Sequence, residues 1–235
     1  MAYLDDIYIL SPELTPSLPT VVRALGKSPI TLNLTKSSEH AIEFLKVKGL
    51  KALGTYLGPL RPRRDFLKAQ IAKLQAVVTT LKDLPKQHAL LLLRGSSQLL
   101  LRHLQRQLDP SGLEDLWESA NKLIRDTVKA LIARHLGNTT NFIRPALLSI
   151  LTREGSLGLS LHALLAPKLF PAAKEAYRTL LGRIRPDTYA KPPDIPSPSA
   201  KEVYISTNKA LQESLSTLEP PFLKAKLENA SFLSR

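Results

Sequence analysis

Cysteine is missing from all 235 residues. That absence excludes a disulfide framework and any cysteine-ligated zinc, zinc knuckles included, and it removes the usual trace of redox compartment. No apolar run approaches the roughly 20 residues that a membrane-spanning helix needs. The N-terminus carries Asp5 and Asp6 and has no basic stretch ahead of an apolar one, so it lacks the marks of a signal peptide. These absences lead us to expect a soluble intracellular chain, in nucleus or cytoplasm and not secreted, with no membrane partner. The histidines at 40, 88, 103, 135 and 162 form no i,i+4 pair. Neither a nucleophile elbow nor a dinucleotide-binding glycine pattern occurs, so hydrolase and dehydrogenase chemistry gain no support.

What is present suits a globular protein of one or two domains, since 43% hydrophobic content is enough for a sizeable core. The net charge is +13, and it is unevenly placed. Residues 1–60 hold 6 basic against 5 acidic side chains, 61–135 hold 14 against 7, 136–185 hold 7 against 2, and 186–235 hold 6 against 6. The middle of the chain therefore carries nearly all of the excess. Such a region suits a polyanionic partner, because each phosphate neutralised releases counterions; a well-solvated basic surface has the same composition.

Hydrophobic spacing gives the organisation. Residues 2–10 suit a hairpin in which apolar and aromatic residues flank two aspartates, and Ser11-Pro12 closes the second strand. Leu14, Leu18, Val21, Val22 and Leu25 recur at helical spacing up to Gly26, and Ile30, Leu32 and Leu34 alternate with polar residues as in a half-buried strand. Ile42, Phe44 and Val47 are read as continuing an antiparallel ribbon, and 50–60 as another strand or hairpin. After Arg61-Pro62-Arg63-Arg64 the pattern turns helical, with Leu67, Ile71, Leu74, Val78 and Leu81 on one stripe. Pro85 ends that helix and starts one holding Leu90 to Leu93, then Leu99 to Leu101. A third, at 113–135, buries Leu113, Leu116, Trp117, Ala120, Ile124, Val128, Leu131 and Ile132, which makes Trp117 a core residue rather than a base-stacking platform. A short helix over 143–151 and a turn over 154–159 follow, then a helix over 161–183 interrupted or started by Pro167 and Pro171. Five prolines between Arg185 and Ala200 mark 186–200 as a linker, and the tail from Lys201 shows only weak helical signals near 207–218 and 221–231. The expected fold class is mainly α with a small α+β N-terminal part.

Tyr3-Leu4-Asp5-Asp6 carries the strongest chemical signal. Adjacent carboxylates at a hairpin turn offer hard oxygen ligands for divalent cations, as two-metal phosphoryl transfer requires. The motif is followed in order by Leu32-Asn33-Leu34-Thr35-Lys36-Ser37 and by Leu53-Gly54-Thr55-Tyr56-Leu57-Gly58. Further on come Leu84-Pro85-Lys86-Gln87-His88-Ala89-Leu90 and Gly155-Ser156-Leu157-Gly158-Leu159. This succession resembles the C-terminal half of a reverse transcriptase, most like those of non-LTR-type retroelements, closely up to residue 60 and more loosely to about 183.

The resemblance implies a partial polymerase palm over 1–60 and a helical thumb with a following helical region over 61–185. Asp5 and Asp6 would be the catalytic, Mg2+-binding pair, with Asp5 the direct ligand, and Tyr3 belongs to the same hairpin. Lys36 matches a lysine near the incoming triphosphate; it reads equally as a solvated lysine after a strand. Gly54 to Gly58 matches a hairpin that grips the primer strand, and the same glycines also suit a tight turn. Arg61, Arg63, Arg64, Lys68 and Lys73 become candidates for sequence-independent contacts to a primer–template duplex, or else keep an amphipathic bundle soluble. A reverse transcriptase also has an earlier palm aspartate and fingers ahead of the catalytic hairpin. With the hairpin beginning at residue 3, the chain by itself is expected to be inactive unless an N-terminal polymerase portion supplies them. Deoxynucleotides would be substrates only of such a complete enzyme. A non-catalytic basic helical nucleic-acid-binding protein and a decayed retroelement relic are the alternatives.

Overall fold

The computed structural model describes residues 19–20, 23, 42–136, 148, 157–184 and 198–218. The chain divides into two compact units, residues 1–62 and 63–235. The expected hairpin at 2–10, the helix up to Gly26 apart from Pro19, Thr20 and Arg23, which are helical, the strand at 30–35, the helix at 143–151 apart from Leu148, and the segment beyond Leu218 lie outside the described residues.

In the first unit, Ile42–Lys48 forms a helix, α1, where an antiparallel ribbon was expected. Ile42 and Leu45 stand a turn apart, and the Gly49 N–H donates to the Leu45 carbonyl at 2.8 Å while Gly49 takes φ +74°, a left-handed helix stop. The local cap thus decides against the strand period. Strands β1 (Leu50–Ala52) and β2 (Thr55–Leu57) then pair antiparallel, Leu50 with Leu57, Lys51 with Tyr56 and Ala52 with Thr55. The hairpin expected in 50–60 is present.

The second unit is helical. Helix α2 (Leu60–Leu81) buries Leu67, Leu74, Val78 and Leu81 of the expected stripe and leaves Ile71 half-buried, with Arg63 buried on the same face. Each buried leucine contributes roughly 1.5–3 kcal/mol relative to an exposed one. After Pro85 come α3 (Lys86–Gly95), a 3₁₀ turn (Ser97–Leu101) and the short α4 (Leu104–Gln107). Helix α5 (Glu114–Leu136) begins with Glu114 and Asp115, acidic residues suited to a helix N-terminus. It buries Leu116, Trp117, Ala120, Ile124, Val128 and Leu131, and Leu113 is buried just ahead of it.

Helix α6 (His162–Ile184) runs continuously through Pro167 and Pro171, where an interruption or a start was expected. Both prolines face outward, while Leu165, Ala166, Leu169 and Ala173 are buried as α6 packs on α4 and α5. Tertiary packing of that face offsets the hydrogen bonds that proline cannot make. Helix α7 (Ala200–Leu218) starts seven residues ahead of the weak signal at 207 and packs on α6. Its start is a capping box: the Glu202 carboxylate accepts from the Ser199 N–H at 2.6 Å, and the Ser199 hydroxyl accepts from the Glu202 N–H at 3.3 Å. The chain is mainly helical with one small antiparallel sheet among the described residues. No described helix is long and apolar enough to cross a membrane.

Candidate nucleic-acid interface

Tyr3, Asp5, Asp6 and Lys36 lie outside the described residues. Among the described residues no group of three His, Asp or Glu side chains is arranged to hold a metal ion.

The hairpin with Gly54 and Gly58 is described, and its glycines have local physical causes. Leu53 and Gly54 form a two-residue turn with φ +49° and +74°, the positive values that a tight hairpin turn with the strands' own twist demands. At the open end, a Cβ on Gly58 would lie 2.5 Å from the Gly49 Cα, so the two backbones touch. The Tyr56 hydroxyl donates to the Lys48 carbonyl at 2.6 Å, tying β2 back to the end of α1.

Arg61 is exposed in the first turn of α2. Arg63 and Arg64 are occupied by the protein itself. The Arg63 guanidinium meets the Asp109 carboxylate at 2.8 Å and donates to the Asp109 carbonyl at 2.8 Å, with a longer bond to the Ser111 carbonyl. Arg64 grips Asp115 with both terminal nitrogens and donates to the Gly112 carbonyl at 2.6 Å. Together they fasten the start of α2 to the 109–112 loop and the first turn of α5. Burial pushes the Asp109 carboxyl up, but hydrogen bonds from the Ser111 backbone and hydroxyl and the nearby Arg63 charge outweigh it and hold the group below its ordinary range. The Arg64 hydrogen bond lowers Asp115, against a smaller opposing effect of burial, and raises Arg64 in return.

Lys68 and Lys73 are exposed and take part in no ion pair among the described residues. Five residues apart on an α-helix, they point about 140° from each other, on opposite flanks of the buried stripe. The five candidate cations of 61–73 are therefore not one patch.

Two features escaped the reading of the sequence. One is a buried polar cluster at the start of α6. The Gln105 amide meets His162 Nδ1 at 2.7 Å, the His162 backbone N–H donates to the Asn121 side-chain carbonyl at 2.7 Å, and the ring stacks on Trp117 with centroids 6.1 Å apart. Burial pushes His162 down to about 4, so the ring is neutral at physiological pH. Trp117 is a core residue, as expected. The other is a groove lined by Arg102 and Arg106 from one segment and Tyr177 from α6. A basic residue four places from another was visible in the sequence, but nothing in it joined either to a tyrosine some seventy residues away. No known protein family, curated protein or solved structure matches the chain.

Proposed function

We propose that the chain is part of an RNA-directed DNA polymerase and that its helical region holds primer–template nucleic acid. The observation that carries this reading is the ordered run of Tyr3-Leu4-Asp5-Asp6, Leu32-Asn33-Leu34-Thr35-Lys36-Ser37 and Leu53-Gly54-Thr55-Tyr56-Leu57-Gly58 ahead of a cation-rich helix. It is supported by the fold of residues 50–57, a tight hairpin where the resemblance implies a primer-gripping one, with the basic helix α2 directly after it. In this reading residues 1–60 belong to a palm and 61–185 to a thumb and the helical region after it. Asp5 and Asp6 are the residues that would hold Mg2+, which when bound supplies charge stabilisation for phosphoryl transfer. Lys68 and Lys73, with Arg61, act on backbone phosphates through sequence-independent attraction. Arg63 and Arg64 serve instead to hold the α2, loop and α5 junction.

Binding of a labelled primed RNA template, followed by fluorescence anisotropy as salt rises, tests this. The logarithm of the affinity falls linearly with the logarithm of salt, and Lys68→Gln with Lys73→Gln lowers that slope by about 2. Absence of binding at low salt contradicts the proposal and favours a relic. Metal-dependent nucleotide addition, measured with polymerase palm and fingers supplied, separates the remaining readings: loss on Asp5→Asn supports the polymerase. Binding without any Asp5-dependent synthesis leaves a non-catalytic nucleic-acid-binding protein.

A further inference from the structure

The groove lies between the 99–107 segment and α6, beside the start of α7, and encloses about 680 Å3. One wall is cationic. Arg102 and His103 both have right-handed helical backbone, φ −65° and ψ −38°, φ −67° and ψ −33°, so they extend α4 backwards and Arg102 stands one turn from Arg106. Two guanidinium groups thus issue from successive turns on the same side. Among the described residues neither enters an ion pair, and those that line the groove include no carboxylate. The Arg102 guanidinium lies 5.6 Å from the Tyr204 ring centroid, a cation–π contact that holds it against α7.

The facing wall is of a different kind. Tyr177 and Leu180, 57% and 50% exposed, project from α6, and Ala173 and Ala176 leave open space beside them. A half-exposed aromatic ring across a groove from two arginines with no carboxylate partner among the described residues matches a ligand that is anionic along one edge and flat and apolar along the other. Nucleic acid has both edges. In a duplex each base is covered on both faces, so a base free to lie on Tyr177 must be unpaired.

We infer that this groove binds a short stretch of single-stranded nucleic acid, with backbone phosphates on Arg102 and Arg106 and one base stacked on Tyr177. The inference rests on the nucleic-acid reading above and adds to it a site, a strand state and a stacking residue. His103 borders the same wall.

The test uses the full chain and three probes: an unstructured uridine oligonucleotide, the primed duplex, and poly-glutamate of similar charge. Arg106→Gln and Tyr177→Leu are both exposed changes, and circular dichroism with thermal melting checks that each variant folds as the parent does. Arg106→Gln should weaken oligonucleotide binding and lower its salt slope by about 1. Tyr177→Leu should weaken it about five- to a hundredfold with the slope unchanged, the mark of stacking rather than charge. Duplex affinity should change little in either variant. An oligonucleotide carrying 5-iodouracil should crosslink to Tyr177 on irradiation, located by mass spectrometry. If the parent binds the oligonucleotide but both variants bind it equally well, the groove assignment is overturned while the nucleic-acid reading stands. If poly-glutamate binds more tightly than the oligonucleotide and is lost in Arg106→Gln, the groove takes an acidic peptide and the inference fails. If no nucleic acid binds at low salt, the underlying reading falls first and takes this one with it.

Discussion

Arg63 and Arg64 stand beside Arg102 and Arg106 as two arginine pairs with opposite fates. The first pair belongs to the densest basic run in the chain, yet Arg63 is only 11% exposed in its side chain and both are consumed by Asp109, Asp115 and the carbonyls of the 109–112 loop. The second pair is scattered among leucines and faces an open groove. Charge density along a sequence therefore says little about charge available to a ligand. What decides is whether a carboxylate or a row of carbonyls reaches the cation first.

The comparison breaks most visibly if Arg63 is removed. Arg63→Ala leaves Asp109 with only its Ser111 bonds and takes the guanidinium donor from the Asp109 carbonyl, and should lower stability by about 2 kcal/mol in urea unfolding. Arg106→Gln is the counterpart and should change stability by less than about 0.5 kcal/mol. A loss of similar size in the two variants would show the pairs to be alike.

The buried cluster under α6 sharpens the picture through pH. His162 sits at about 4 in the fold, against an ordinary 6.5. Folding favours its neutral form, so its contribution is complete above pH 6.5 and is lost as pH falls towards 4, where the unfolded chain binds the extra proton. The expected loss is about 3 kcal/mol, and His162→Gln should flatten the stability curve in that window. Asp109 and Asp115 lie below the ordinary carboxylate value of 3.8, so their contributions disappear only at lower pH. A curve that stays flat from pH 6.5 to 4 in the parent would contradict the placement of His162. The smallest clear loss belongs to α7, where Ser199→Ala removes one arm of the capping box and should cost about 1 kcal/mol by thermal unfolding.

Long periodic segments were readable from sequence. The stripes of α2 and α5, the role of Pro85 and the hairpin at 50–57 all rest on local patterns that the packed protein keeps. Three departures have local or tertiary causes. Ile42, Phe44 and Val47 resemble a strand only if Leu45 and the Gly49 helix stop are ignored. Pro167 and Pro171 signal a break that packing of the inner face of α6 overrides. Ser199-Ala-Lys-Glu202 at the end of a proline-rich stretch is a capping box, and it starts α7 where a linker was expected to end. The candidate interface was less legible. Lys68 and Lys73 could be named, but their opposite flanks follow only from the helix. The meeting of Arg102, Arg106 and Tyr177 depends on α6 packing against α4, which no local pattern encodes. Burial of Arg63 was hidden for the same reason, since Asp109 lies 46 residues away.

Chemical footprinting tests the central contrast in one experiment. Phenylglyoxal for arginines and an acetylating reagent for lysines are applied to the full chain, free and mixed with a primed template bearing a single-stranded overhang, and modification is mapped by mass spectrometry. Arg102, Arg106, Lys68 and Lys73 should react in the free chain and be protected by nucleic acid, while Arg63 should resist modification in both states. Reactive Arg63 protected by nucleic acid, with Arg106 unchanged, would contradict the account.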